Sequence, residues 1–232
     1  MRYYNMSYSR KDYLKKLEDA LKNYSASGLY SINEVNYVGI TKDTKELYTE
    51  VFAEWLLENP GLLEGIEEHR RERKYRISSH EQRAIPNSNR QEEIIAIKLY
   101  KSRDSEKVLH AGFGRILDYQ IPLKSSQQDS AGKIDLLSQD GSDVLILELK
   151  KSDSKETMLR CVLEAYTYSK MVVKEKLFLE YGINQTSSLI PAPLVFEGSG
   201  PLRDFERGKR PKLFELMDRL DIKPIIIPQD IV

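Results

Sequence analysis

The sequence predicts an α/β protein in which helices flank a mixed central sheet. Two largely apolar runs, residues 134–137 and 144–149, flank Asp140-Gly141, a dipeptide that strongly favours a tight β-hairpin turn. The second run is apolar at almost every position, which is typical of a central strand covered on both faces. Helical hydrophobic patterns at about 89–101 and 154–181 precede and follow the hairpin, as helices packed on a sheet would.

The composition is that of a globular chain with enough apolar residues for a substantial core. Of its 232 residues, 40% are hydrophobic and 31% are charged. The 36 basic residues balance the 36 acidic ones, so the net charge of zero does not indicate a nucleic-acid partner. Such a partner can be inferred only from local basic patches. Cys161 is the one cysteine, which excludes an intrachain disulfide and a multi-cysteine zinc site. We find no signal peptide and no apolar run of membrane-spanning length, and therefore expect a cytoplasmic protein without a membrane partner.

The first 85 residues are predicted to form a mostly helical region. Ser9 is a candidate N-cap for a helix through Lys22, and an amphipathic helix is expected at 44–58. Between them, residues 31–40 favour a short strand. A polar, turn-rich stretch after residue 76 favours a boundary there, which divides the chain into an N-terminal region (1–85) and a second domain (86–232).

Residues 69–76, HRRERKYR, are the densest basic run in the chain. One interpretation is contact with a phosphate backbone, because each Lys or Arg that neutralises a phosphate releases counterions. The other is a solvated helix face, which the interleaved carboxylates of Glu67, Glu68 and Glu72 favour.

The second domain begins with a helix at about 89–101, capped by Asn89 or Ser88. Glu92 and Glu93 fall in its first turn, where negative charge stabilises a helix. Residues 115–123 are the predicted first strand, and a polar loop at 124–131 leads into the hairpin.

The hairpin brings two carboxylates together. If Asp140-Gly141 closes it symmetrically, Asp135 lies opposite Ile146, and Asp135 and Glu148 become diagonal neighbours within about 8 Å. Because side chains alternate along a strand, both project from the same face as Lys150. Adjacent carboxylates in an apolar setting repel and lose hydration unless positive charge joins them. Lys150 supplies one charge, and a divalent cation such as Mg²⁺ would supply the rest.

These residues resemble the PD-(D/E)XK nuclease superfamily, which includes restriction endonucleases, junction resolvases and recombination exonucleases. The resemblance is carried by Asp135 and, after twelve intervening residues, Glu148-Leu149-Lys150, and it covers about residues 88–199. Ile134 stands where the motif has its proline. Residues 58–63, ENPGLL, resemble a segment upstream of the nuclease domain in some bacterial anti-phage nucleases of the Shedu type. The resemblance implies a restriction-endonuclease-like core of order αβββαβ.

It also implies a metal site and its supporting residues. Mg²⁺ (or Mn²⁺) would be held by Asp135, Glu148 and the Leu149 carbonyl, with Glu93 or Glu92 as a further ligand. Lys150 would orient, or help deprotonate, the water that attacks the phosphodiester. Charge at a helix N-terminus explains both glutamates equally well without a metal.

Two residues of the long helix are candidates for a supporting role. Several recombination-type members carry Gln-x-x-x-Tyr here, and Glu164 takes the place of that glutamine ahead of Tyr168. The plainer alternative is a surface ion pair between Arg160 and Glu164.

The C-terminal part is predicted to contain a strand at 189–197, a helix that begins at Pro211 and an edge strand at 225–227. A Gly- and Arg-rich loop precedes that helix. It is the preferred DNA-contact candidate, through Arg203, Arg207, Lys209 and Arg210, and a solvated connection is the competing interpretation.

Three functions compete on this sequence. The first is a metal-dependent nuclease in restriction, phage defence or repair, with DNA favoured over RNA. The second is a catalytically silent nucleic-acid-binding or assembly module on the same fold, and the third is a structural interaction protein. The balanced charge favours binding confined to a cleft, which a homodimer would assist.

Overall fold

The computed structural model describes residues 7–22, 24–125, 131–206 and 210–232. In that part of the chain, five strands form one sheet: β1 (Arg115–Pro122), β2 (Lys133–Asp140), β3 (Asp143–Lys150), β4 (Ser188–Phe196) and β5 (Ile225–Ile227). The α-helices are α1 (Arg10–Leu21), α2 (Tyr48–Glu58), α3 (Gly61–Glu64), α4 (Gln91–Lys101), α5 (Glu106–Leu109), α6 (Met158–Met171), α7 (Lys174–Tyr181), α8 (Gly200–Glu206) and α9 (Pro211–Arg219). Short 3₁₀ helices occur at Ala26–Ser31, Asn33–Asn36 and Ser78–Gln82.

The sheet is mixed, with spatial order β1-β2-β3-β4-β5. The first three strands are antiparallel, and β4 and β5 continue the sheet in parallel with β3. The parallel β3–β4 pair requires a long crossover, and α6 and α7 provide it. The predicted α/β class with a mixed sheet and flanking helices is confirmed, while the narrower restriction-endonuclease-like fold stays a prediction.

Hydrophobic clusters cover both faces of the sheet. On one face, Leu136 and Leu147 belong to the same cluster as Ile97 of α4. On the other, Leu137 and Ile146 share a cluster with the residues of α6. Alternate residues of β2 and β3 therefore serve opposite faces, as the pleat requires.

The N-terminal region contributes to the core on the α6 face. Tyr13 and Phe52 are fully buried members of that cluster. The Thr157 hydroxyl, next to α6, donates to the Val35 carbonyl at 2.7 Å. Glu50 of α2 accepts from the backbone N–H groups at the start of α9, at 2.9 and 3.1 Å, and so caps that helix. The predicted boundary near residue 85 stays a prediction, and the segments before and after it share one hydrophobic cluster.

The hairpin register differs from the predicted one by two residues. Asp140 pairs with Asp143, and Leu137 pairs with Ile146, so the turn residues are Gly141 and Ser142. Gly141 has φ +59°, which suits the first central position of a type II′ hairpin turn. Because the shift is an even number of residues, the side chains keep their predicted faces.

Several other elements differ from their predictions. The predicted helix at 154–181 is two helices, because Val172 and Val173 are extended. Residues 69–76 form no helix, and the predicted strand at 31–40 is a 3₁₀ turn followed by an isolated bridge at Ile40. Part of the predicted loop after β4 forms α8. The Ser9 cap of α1 and the first-turn proline of α9 are confirmed.

Helix α4 begins at Gln91 and has no side-chain cap from Asn89 or Ser88. Of the helices in the described ranges, none is both long and apolar enough to cross a bilayer.

Candidate active site

Three adjacent strands bring polar side chains into one row across the sheet. Asp135 lies on β2, and extending the β2–β3 register by one pair places it opposite Glu148. On its other side the β1–β2 register places Gln120 opposite Asp135. The Asp135 carboxylate accepts from the Gln120 amide at 2.6 Å and from the Leu149 backbone N–H at 3.0 Å. These two hydrogen bonds fix the orientation of the Asp135 carboxylate.

Gln120 also has an unusual backbone conformation. Its φ of +47° lies in the left-handed region, which non-glycine residues rarely adopt and which costs on the order of 1 kcal/mol or more. The side chain that this backbone aims at Asp135 is buried. Strained residues of this kind cluster at functional sites.

Lys150 is the positive centre of the cluster and is only 4% exposed. Its Nζ lies 2.9 Å from Glu148, 2.7 Å from Glu164 and 3.1 Å from Glu156. Arg160 supplies a second positive charge, 2.9 Å from Glu156. With Asp135, four carboxylates therefore share two cationic side chains.

One carboxylate oxygen of Glu148 is left over. Glu148 Oε1 accepts from Lys150, whereas the buried Oε2 has no hydrogen-bond partner within the described residues. Buried polar atoms almost always have a partner, and an unpaired one in a native protein calls for an explanation such as an ion.

The raised pKa values of Asp135 and Glu148 reflect their burial and the repulsion between neighbouring carboxylates. Burial raises the pKa of Asp135 to about 7, against the attraction of Lys150 and with repulsion from Glu92 and Glu164 adding to the rise. Burial, followed by repulsion from Asp135 and Glu164, raises the pKa of Glu148 well above its ordinary range. Burial lowers the pKa of Lys150, but its attraction to Glu148 and Glu164 outweighs this effect and leaves it well above its ordinary value.

The two glutamates of α4 lie in different surroundings. The carboxylate of Glu93 is buried and bound by Arg83 at 2.7 Å and by Arg90 at 3.6 Å. Glu92 accepts from the backbone N–H of Lys151 at 3.4 Å. Both glutamates line a cavity of about 300 Å³ together with Asn89, Gln120, Asp135 and Lys151. Of the two, Glu92 is the better candidate ligand because Glu93 already has two arginine partners.

Glu164 and Tyr168 form a chain of contacts that ends at Lys150. Tyr168 donates to Glu164 at 3.3 Å, and Glu164 in turn contacts Lys150. The hydroxyl of Tyr30, from the N-terminal region, lies 3.2 Å from that of Tyr168. Arg160 lies 3.9 Å from Glu164, so the predicted pair exists, but Glu164 is buried and its pair with Arg160 is not a surface pair.

The predicted DNA contacts after β4 need one correction. Arg210 is only 3% exposed and its guanidinium donates to Thr49, so its side chain is part of the interior and is removed from the proposed DNA contacts. Arg203 falls within α8, and its side chain is outside what the structure describes. Arg207 and Lys209 lie outside the described residues.

Sequence reasoning missed Gln120 and Tyr30. Gln120 had a usable signal, since it is a lone polar residue between the apolar Tyr119 and Ile121 of β1. The sequence carries no signal for Tyr30, because its contact with Tyr168 joins residues that are 138 positions apart.

The donor set fits a hard divalent cation. The oxygens of Asp135 and Glu148, with the unpaired Oε2 among them, are ligands that Mg²⁺ and Mn²⁺ prefer. Over the described ranges, no group of three or more His, Cys, Asp or Glu side chains is already arranged around a common point for a metal ion. Asp135 and Glu148 would therefore need further oxygen ligands, such as the Leu149 carbonyl and waters, to complete the coordination of an ion.

Comparisons with protein-family models, with curated proteins and with solved structures give no match to the chain. The PD-(D/E)XK resemblance therefore stays a prediction that rests on the residues described above.

Proposed function

We propose that this chain is a metal-dependent nuclease that hydrolyses phosphodiester bonds, with DNA favoured over RNA as substrate. The observation that carries the proposal is the unpaired, buried Oε2 of Glu148 on the same sheet face as Asp135 and Lys150. Four carboxylates exceed the two positive charges of Lys150 and Arg160. The excess lowers the stability of the fold unless a metal cation pairs with it, because a buried charge is costly unless it is paired.

Asp135 and Glu148 would hold Mg²⁺ or Mn²⁺, with the Leu149 carbonyl and Glu92 completing the protein ligands. When bound, the ion would supply neutralisation of phosphate charge and a water of lowered pKa. Asp135 is already oriented for this role by its bonds to Gln120 and to the Leu149 N–H.

Lys150 would orient the attacking water and stabilise the charge that develops on the phosphate oxygens. Its raised pKa, caused by the attraction of Glu148 and Glu164, keeps it protonated at neutral pH. This favours the orienting role over that of a general base. Glu164 and Tyr168 would hold the ammonium group in place, because Glu164 contacts Lys150 directly and Tyr168 donates to Glu164.

The test is cleavage of supercoiled, linear and single-stranded DNA by the purified protein with Mg²⁺ or Mn²⁺, then with EDTA. Asp135→Asn and Glu148→Gln keep the shape of each side chain and should abolish cleavage. Asp140→Asn is the matched control, because Asp140 is an exposed carboxylate of the same hairpin at its far end. Cleavage that survives both site substitutions would refute the proposal.

The alternative is a catalytically silent nucleic-acid-binding or assembly module on the same fold. In favour of it, Glu148 already has Lys150 as a partner at 2.9 Å, which satisfies one oxygen without a metal. Metal-independent DNA binding without cleavage under any of these conditions would establish this alternative.

A further inference from the structure

The basic loop, residues 69–76, includes three exposed positive side chains for which the described chain shows no carboxylate partner. Arg70, Arg73 and Lys74 are exposed, and in the described chain none of these three side chains makes a hydrogen bond or an ion pair. Exposed cations elsewhere on this protein are often paired, as Lys22 is with Asp19 and Lys107 with Asp230. The run is not a helix, so the predicted solvated helix face does not describe it.

The backbone of the basic loop is nevertheless held firmly. The ammonium of Lys176 donates to three successive carbonyls, those of Arg71, Glu72 and Arg73. At the end of the loop, Glu180 accepts from the N–H groups of Tyr75 and Arg76 at 2.6 and 3.0 Å. A loop fixed in this way loses little conformational entropy when it binds a ligand.

A cavity of about 580 Å³ adjoins the basic loop. His69, the first residue of the loop, lies in its wall, with Tyr24, Ser27, Tyr30, Gly132 and Met171. Tyr24 is 47% exposed, more than most of the aromatic residues that the structure describes. An exposed ring in a polar cavity is a surface on which a nucleobase can stack.

Two residues of the cavity wall, Tyr30 and Gly132, contact Tyr168 beside the candidate active site. Tyr30 contacts Tyr168 through their hydroxyls, and Gly132 packs so closely on the Tyr168 hydroxyl that a side chain there would overlap it. Gly132 precedes Asp135 by three residues along the chain, a distance of roughly 10 Å in an extended strand. A strand bound in the cavity would thus lead to the carboxylates of Asp135 and Glu148.

We propose that the basic loop and this cavity together bind single-stranded nucleic acid and guide it to the Asp135–Glu148 site. Arg70, Arg73 and Lys74 would neutralise phosphates, and Tyr24 would stack on a base. The delivery of the strand to the Asp135–Glu148 site for cleavage rests on the proposed nuclease function. The binding of the strand does not depend on catalysis. Electrostatic tracking of the backbone combined with base stacking is the general mode of single-strand recognition.

The experiment measures binding in EDTA, where no metal-dependent cleavage occurs. A fluorescein-labelled oligo(dT) of about twenty nucleotides and a duplex of equal length are titrated by anisotropy at several salt concentrations. The triple substitution Arg70→Gln, Arg73→Gln and Lys74→Gln should weaken oligo(dT) binding roughly 100-fold at about 0.1 M salt and reduce the slope of log K against log salt by about 2. These side chains are exposed, so the fold should persist, which circular dichroism checks.

A matched control removes three exposed lysines that form no salt bridge in the described chain and line neither the cavity nor the basic loop: Lys11→Gln, Lys101→Gln and Lys223→Gln. It alters the net charge equally and should leave affinity and slope near the wild-type values. Tyr24→Ala should weaken binding about tenfold, and Tyr24→Phe, which retains the ring, should not.

Equal binding by the basic-loop variant and the wild type, or tighter binding of duplex than of oligo(dT), would overturn the inference. Cleavage by wild-type protein in Mg²⁺ is scored separately. Normal oligo(dT) binding without cleavage would count against the proposed nuclease function while supporting this surface. Cleavage by the wild-type protein, together with unaltered oligo(dT) binding in the triple variant, would support the nuclease function and count against this surface.

Discussion

The ammonium group of Lys150 lies 2.7 Å from the carboxylate of Glu164, fourteen residues later on α6. Both side chains are buried, and Glu148 and Glu156 lie within 3.1 Å of the same nitrogen. The lysine is therefore the charge that makes a cluster of carboxylates tolerable between sheet and helix. Its removal should affect stability as well as cleavage.

Lys150→Ala should abolish cleavage and lower the free energy of unfolding by about 3 kcal/mol in EDTA, because removal of one partner leaves buried charges uncompensated. Urea denaturation measures this change. Lys151→Ala is the control for stability, since Lys151 pairs with the exposed Asp153 and such pairs contribute about 0.5 kcal/mol. Full cleavage activity in the Lys150 variant would refute the role given to this residue.

The raised pKa of Asp135 predicts how stability depends on pH without metal. Its pKa of about 7 exceeds the unfolded value of about 3.9, so the folded state holds more protons between these pH values. The associated stability is present below pH of about 4 and is lost as the pH rises through about 7. The raised pKa of Glu148 acts in the same direction. Thermal unfolding in EDTA from pH 5 to 8 should follow this trend.

Mg²⁺ competes with the same protons, so its binding should tighten with rising pH by up to about tenfold per unit below pH of about 7. The rise in melting temperature on addition of Mg²⁺ should accordingly be larger at pH 8 than at pH 6. Asp135→Asn should remove most of this rise. A stabilisation by Mg²⁺ that is equal at both pH values would contradict the assignment of Asp135 as a ligand.

The hairpin shows how much of this site the sequence could specify. Two apolar runs and a Gly-containing turn were enough to predict the strands and the faces that Asp135, Glu148 and Lys150 share. The register was wrong by two residues, because Asp-Gly and Gly-Ser are both acceptable turn pairs at 140–142 and only the packed sheet selects between them.

Long-range contacts account for what the sequence did not reveal. Arg210 stands in a Gly- and Arg-rich segment typical of an exposed loop, yet it is buried against Thr49, which is 161 residues away. Tyr30 reaches the site only because α6 packs on the N-terminal region. Local patterns carry no information about such pairs.

The strained backbone of Gln120 predicts that this residue serves activity at the expense of stability. Gln120→Gly removes the amide that donates to Asp135 and relieves the left-handed backbone, so stability should stay level or rise by up to about 1 kcal/mol. Cleavage should fall at least about tenfold, the usual effect of losing a residue that orients a metal ligand. Lys45→Gly is the control, because Lys45 also has a positive φ, +60°, but is exposed in the N-terminal region. A Gln120→Gly enzyme of wild-type activity would show that the hydrogen bond to Asp135 has no functional role.

The last prediction concerns Tyr30, which we place in a positioning role. Its hydroxyl meets that of Tyr168, whose partner Glu164 holds Lys150, so Tyr30→Phe should loosen this chain of contacts while its ring still packs against Tyr168 at 5.7 Å. We expect kcat to fall about tenfold with KM for DNA unchanged, since no charge or phosphate contact is lost. Gly132→Ala should also lower kcat, because its Cβ would displace the Tyr168 hydroxyl. A rise in KM alone in both variants would instead mean that these residues act in substrate binding and leave Lys150 undisturbed.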